Sequence, residues 1–99
     1  MDDAFDGFEW DEEKSALNEE RRGFAFDIAA QVFRGDYIET ESRSRDFGEP
    51  RSIAIGNVDG LIITVIWTPR GVKRRIISAR PSSRKERDIY RGYRDEETF

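Results

Sequence analysis

The chain contains neither cysteine nor histidine. Without cysteine there are no disulfides and no thiolate metal sites. Without histidine the usual zinc ligand, the serine- and cysteine-nucleophile triads and the commonest general base are all gone. Long apolar runs are missing too. The longest, LIITVIW at 61–67, has seven residues with a threonine inside it, against the roughly 20 that a membrane-spanning helix needs. The opening MDDAFDGFEW is acidic and has neither the basic nor the apolar region of a signal peptide. Phosphate-loop, dinucleotide and metalloprotease signatures do not occur. The N-terminal acids lack the spacing and the glycine of a calcium loop. The expectation is a soluble cytoplasmic protein with no cofactor, no metal and no membrane contact. Its 99 residues make one domain with a small core.

What is present is charge, and it is segregated. Residues 1–20 carry nine acids (Asp2, Asp3, Asp6, Glu9, Asp11, Glu12, Glu13, Glu19, Glu20) against Lys14 alone. Residues 70–94 carry ten bases (Arg70, Lys73, Arg74, Arg75, Arg80, Arg84, Lys85, Arg87, Arg91, Arg94) against Glu86 and Asp88. The net charge of −4 therefore hides two strong local fields of opposite sign. All but Lys14, Lys73 and Lys85 of the 17 bases are arginine, the side chain that grips phosphate or carboxylate with two parallel hydrogen bonds. Two readings follow: the acidic end covers the basic end, or the bases meet an external anion.

The pattern along the chain predicts an α+β domain. Phe8-Glu9-Trp10 alternates like an edge strand. Asp11 is placed as an N-cap, Glu12 and Glu13 suit a first turn, and Gly23 stops a helix over 12–22. Phe26, Ala29, Ala30 and Phe33 recur at helical spacing, so a second helix is expected over 26–34, pairing with the first as an N-terminal helical hairpin. A weak strand at 37–41 and a polar loop at 42–50 follow. Strands at 51–57, 61–68 and 72–80, joined through Asp59-Gly60 and Pro69-Arg70-Gly71, form an antiparallel β-meander. Pro81 ends the last strand. Ser83 and Glu86 make a capping box for a C-terminal helix reaching Tyr90 or Tyr93. The ends, 1–7 and 94–99, are expected to be flexible.

Strict alternation in the last strand sends Arg74, Ile76, Ser78 and Arg80 to one face and Lys73, Arg75, Ile77 and Ala79 to the other. Arg84 and Arg87 are one turn apart on the following helix. Arg80, Arg84 and Arg87 are expected to converge where strand and helix meet, and such a cluster calls for phosphate, with RNA or DNA as its source. Trp67, Tyr90 and Tyr93 lie near in sequence. An exposed aromatic there would stack a base; packing in the core is the alternative for each.

Several stretches resemble the BrnT toxin family. They are FEWDEEK at 8–14 followed by Asn18 and Arg21-Arg22-Gly23-Phe24, AAQVF at 29–33, GEPRSIAIG at 48–56, IWTPRG at 66–71 and RIISARPSSRKERDIY at 75–90. The likeness covers about residues 8–91. It implies a RelE-like fold and the ribonuclease toxin of a type II toxin–antitoxin pair. It also implies a BrnA-like ribbon-helix-helix antitoxin and contact with DNA only through that antitoxin. One position departs from the family's usual Asn-x-x-Lys-His-Gly. Here the histidine is Arg22, which keeps a positive charge but is no base near neutral pH.

RNA is cleaved without metal when the 2′-hydroxyl attacks the neighbouring phosphate and the 5′-oxygen leaves. The protein must position the backbone, move two protons and stabilise the phosphorane. On this chemistry the candidate catalytic residues are Arg75, Arg80 and Arg84 for the phosphate, Glu86 as a base that also belongs to the capping box, and Tyr90 or Lys14 for the second proton. Arg22, Arg70 and Arg87 would hold the RNA backbone and Trp67 a base. A toxin-like module that binds antitoxin or nucleic acid without cleaving is the alternative, and the substitution at Arg22 supports it. A plain nucleic-acid-binding domain rests on the arginine cluster alone.

Overall fold

The computed structural model describes residues 5–42 and 48–97, with side chains to residue 95. The chain opens with β1 (Phe8–Trp10) and passes into α1 (Glu12–Arg22). Asp11 starts α1 as its composition demands: one carboxylate oxygen accepts from the Glu13 and Lys14 N–H groups at 2.9 and 3.2 Å. Gly23, at φ 90°, closes the helix and donates its N–H to the Glu19 carbonyl, a conformation glycine adopts without steric cost. The residues α1 buries are polar, Ser15 and Asn18. They dock the helix by hydrogen bonds: Phe26 N–H donates to Ser15 Oγ at 2.9 Å, and Asn18 Nδ2 donates to the Phe24 carbonyl at 2.8 Å.

The second helical segment is only a four-residue turn, α2 (Phe26–Ala29), running into a 3-10 stretch at Ala30–Arg34. A strand precedes α1, and α2 is too short to pair with it along its length, so the expected N-terminal helical hairpin does not form. Phe26, Ala29, Ala30 and Val32 point into the core instead. The periodicity marked the buried face correctly and overstated the helix that carries it.

Among the described residues, five strands follow one another across a single sheet in the order β1-β5-β4-β3-β2. β2 (Tyr37–Glu41), β3 (Ser52–Val58), β4 (Leu61–Arg70) and β5 (Lys73–Pro81) are antiparallel neighbours. β1 lies parallel to β5 at the far edge, Phe8 opposite Arg74 and Trp10 opposite Ile76. Asp59 (φ 51°) and Gly60 (φ 91°) turn the β3–β4 hairpin, as an Asp-Gly pair favours. The expected loop at 42–50 lies partly outside the described residues, but Ser42 still bonds to Arg51 across the β2–β3 pair.

The sheet has two unlike faces. One is covered by α2 and the 3-10 stretch, whose Phe26 and Val32, with Phe24 just before them, share a core with Val65, Trp67 and Ile76. Contact there is close: a Cβ on Gly56 would lie 2.8 Å from a Val32 methyl carbon. α3 (Arg84–Glu97) packs on the other face over β2 and β3, where Tyr90 meets Ile38, Ile55 and Ile62. Over β4 and β5 that second face stays open, with Ile66, Arg75 and Ser78 half-buried.

The described parts of both ends are attached. Phe5 packs edge-on against Trp67, Asp6 bonds to the Val72 carbonyl, and α3 continues through the expected end to Glu97, with Arg94 paired to Asp36.

Candidate functional site

β5 does not alternate strictly. Opposite β4, Ser78 pairs with Ile66 and Ile76 with Trp67, so Ile77 is an extra residue at a β-bulge. A one-residue insertion exchanges the faces of everything beyond it. Arg74 and Ile76 therefore share a face with Ala79, not with Ser78 and Arg80 as strict alternation required. Arg75 (opposite Thr68), Ser78 (opposite Ile66) and Arg80 (opposite Thr64) come together on the open face. The bulge is what unites Arg75 and Arg80, which five-residue spacing alone would send apart.

Both arginines meet carboxylates of the same chain. Arg75 donates to Glu9 of β1 at 2.6 Å. Arg80 grips Glu86 with two bonds, 2.6 and 2.9 Å. Glu86 also accepts from the Ser83 N–H at 2.7 Å, while Glu86 N–H donates to Ser83 Oγ at 3.2 Å, so the capping box forms as read from the sequence. The Arg80 hydrogen bonds hold the Glu86 carboxyl down to about 2, with partial burial opposing and the Ser83 N–H assisting. The same pair raises Arg80, again against burial. A carboxylate held near 2 is ionised at neutral pH and a weak proton acceptor; its evident task is to aim the Arg80 fork.

Arg84 is exposed at the start of α3 and has no partner among the described residues. Arg87 donates to the Ser82 carbonyl at 2.8 Å, which ties the helix start to the end of β5. Beneath them the Thr64 and Ser82 hydroxyls lie 2.7 Å apart, and Thr68 donates to the Pro50 carbonyl at 2.6 Å. The floor of the open face is thus hydrogen-bonded and fully buried at Thr64 and Thr68.

Two aromatics expected near the site are elsewhere. Trp67 is 3% exposed on the covered face; Phe5 and Phe33 meet its ring edge-on, and its indole N–H donates to Glu39 at 2.7 Å. No face of the ring is open to a base. Tyr90 is buried under α3 and donates its hydroxyl to the Asp36 carbonyl at 3.1 Å, away from the arginines. Arg70 is exposed and lies 3.6 Å from Glu49.

Lys14 and Arg22 stand at the free edge of β5. β1 pairs with β5 only as far as Ile76; beyond that, Arg22 donates to the Ala79 carbonyl at 2.8 Å. Both line a cleft of about 160 Å³ between α1 and the bulge, together with Arg21 and Ser78.

Glu9 as the partner of Arg75 was not foreseen. Its signal was the acid at the centre of FEW, since a parallel edge strand with Phe8 and Trp10 inward must turn Glu9 to the opposite face. Arg74, one of the ten bases of residues 70–94, is only 5% exposed. Its guanidinium lies 4.4 Å from the Phe33 ring centre and 4.9 Å from those of Phe5 and Trp67.

A search of curated proteins finds no match to the chain. A family model described as the ribonuclease toxin BrnT of type II toxin–antitoxin systems matches residues 10–86. That span includes α1, every strand from β2 to β5, the bulge and the Arg80–Glu86 pair, and this chain belongs to the BrnT family of ribonuclease toxins.

Proposed function

We propose that the protein is the toxin of a type II pair and a metal-independent endoribonuclease that inhibits translation by cutting RNA in the cytoplasm. The observation that carries this reading is the bulge that gathers Arg75 and Arg80 on the open face, with Arg84 unpaired at its border. The scissile phosphate lies against these guanidinium groups, which stabilise the charge that grows on its oxygens. The 2′-oxygen forms a bond to phosphorus and loses its proton to solvent. The bond to the 5′-oxygen breaks, and that oxygen takes a proton from water. Glu86 keeps Arg80 in position, and Arg22, Arg70, Arg87 and Lys14 form the cationic rim for the backbone. The fold reading is RelE-like: a mainly antiparallel sheet with one face buried by N-terminal helical segments and the part of the other over β4 and β5 left for RNA. The controlling partner is a BrnA-like ribbon-helix-helix antitoxin that covers the same face, and DNA is bound only through it.

The test is incubation of antitoxin-free protein with a defined RNA in EDTA, with the cut ends mapped. Cleavage leaving a 2′,3′-cyclic phosphate and a 5′-hydroxyl is expected. The double variant R75A/R80A loses at least about 100-fold in rate, the cost of removing one such charge-stabilising donor, and keeps its circular dichroism spectrum. A fully active double variant overturns the assignment. The second reading, a degenerate toxin that binds antitoxin without cleaving, is favoured by Arg22, whose guanidinium is docked on the Ala79 carbonyl. Folded protein that binds antitoxin and cuts no RNA would establish it.

A further inference from the structure

The cleft between α1 and the β5 bulge has a construction that the catalytic face does not account for. α1 is the acidic segment of the chain, with Glu12, Glu13, Glu19 and Glu20 among its residues. None of these four lines the cleft. Lys14, Leu17 and Arg21 do, at spacings of three and four that place them in one stripe along the helix. The cations of the stripe have no acid partner among the described residues, in a protein where Arg70, Arg75 and Arg80 each have one.

The opposite wall is Ile77, the bulge residue with no partner in β4, followed by Ser78. Leu17 is 40% exposed, an apolar side chain turned outward between two cations. Asn18 at the base spends its amide nitrogen on the Phe24 carbonyl and has no protein donor to its oxygen among the described residues. The volume, about 160 Å³, is well below the roughly 300 Å³ where pockets for drug-sized ligands begin. Such a space suits one flat ring with a phosphate beside it. Ser78 belongs both to the cleft and to the open face, two residues or about 6.6 Å along the strand from Arg80.

We propose that this cleft is a nucleotide subsite. It takes the RNA nucleotide next to the scissile phosphate, with the backbone phosphate between Lys14 and Arg21 and the base held between Leu17 and Ile77. The subsite rests on the ribonuclease reading and extends it: it is where the protein selects and anchors the strand before the phosphate reaches Arg75 and Arg80. An anion alone would have no use for the apolar walls. A base alone would have none for the paired cations.

The experiment uses the full chain and a 12-nucleotide 2′-O-methyl RNA, which cannot be cut because its attacking hydroxyl is blocked. Binding is read by fluorescence anisotropy across a salt series. K14A/R21A is compared with K85A/R91A, which removes the same charge from exposed positions of α3 outside the cleft. K14A/R21A is expected to bind about tenfold more weakly and to lower the salt slope by about 0.7, the value for one lost single-strand phosphate contact. K85A/R91A stays within about threefold of wild type, its slope nearly unchanged because its cations hold no fixed phosphate. L17A weakens binding and leaves the slope unaltered, because it removes a wall and no charge. If the wild type binds and the two double variants weaken it equally, the subsite is wrong and the ribonuclease reading stands. If L17A binds as the wild type does, no base sits in the cleft and the proposal fails in that form. If the wild type does not bind RNA at all, both fall together.

Discussion

Arg74 and Arg75 are neighbours in the chain and opposites in the fold. Arg74 enters the covered face, where the rings of Phe5, Phe33 and Trp67 surround its guanidinium and the Tyr37 hydroxyl accepts from it at 3.2 Å. Arg75 enters the open face and stays half-exposed against Glu9. One is a structural cation, stabilised by ring quadrupoles in a buried site. The other is a surface ion pair whose attraction is shared with solvent, so it contributes little to stability and is available to a stronger anion. The two faces repeat the contrast on a larger scale. The covered face is packed until even Gly56 has no room for a methyl group, and the open face keeps its cations, Arg75 and Arg80, only partly buried against carboxylates.

The most severe way to break this contrast is to put a charge on the covered face beyond the bulge. Ala79→Asp would bury a carboxylate where Ala79 is fully buried. Loss of the cooperative thermal transition is expected, and an A79D variant that unfolds like the wild type would contradict the assigned register, in which the bulge turns Ala79 into the core. Next, Arg74→Ala is expected to cost about 2–4 kcal/mol through the cavity and the lost cation–ring contacts. Arg75→Ala stays within about 1 kcal/mol. Urea titration of both variants checks the pair, and equal losses would erase the distinction between the faces. Gly56→Ala tests the packing directly: a loss of about 1–3 kcal/mol is expected from overpacking against Val32, read as a lower urea midpoint with unchanged slope.

The smallest effect concerns acid. Glu86 titrates at about 2 in the folded chain, below its ordinary 4.5, so folding favours the ionised form. The stability this contributes is complete above about pH 4.5 and is lost as pH falls through about 2. The variant E86Q should therefore lose less stability than the wild type over that window. Parallel acid-unfolding curves for the two would show that the Arg80 pair has no such linkage.

Local chemistry was readable where neighbours in sequence decide it. Asp11, Gly23, the Asp59-Gly60 turn and the Ser83–Glu86 box all act within a few residues, and each is found as its residue types predict. The strands of the meander were readable because β-branched runs between turn residues have few other uses. The helical hairpin was not, because apolar spacing reports which side is buried and not how long the helix lasts. Trp67 was ambiguous for a related reason: burial of a single ring depends on what packs over it, here Phe5 and Phe33 from distant parts of the chain.

By itself the sequence determined the α+β class, the caps, the turns, the separation of charge and the motifs that place the chain in its family. These follow from short-range sterics, hydrogen bonds and composition. Only the tertiary structure decided which arginines share a surface. A bulge is a mismatch between two strands, and it leaves no mark on either one alone. The partners Glu9 and Arg75, 66 residues apart, are joined because a parallel edge strand is added to the sheet, a pairing set by the competition of whole elements for the same edge. Those long-range choices divided one basic segment into a buried brace, a set of paired guanidinium groups on an open face, and an exposed Arg84 at its border.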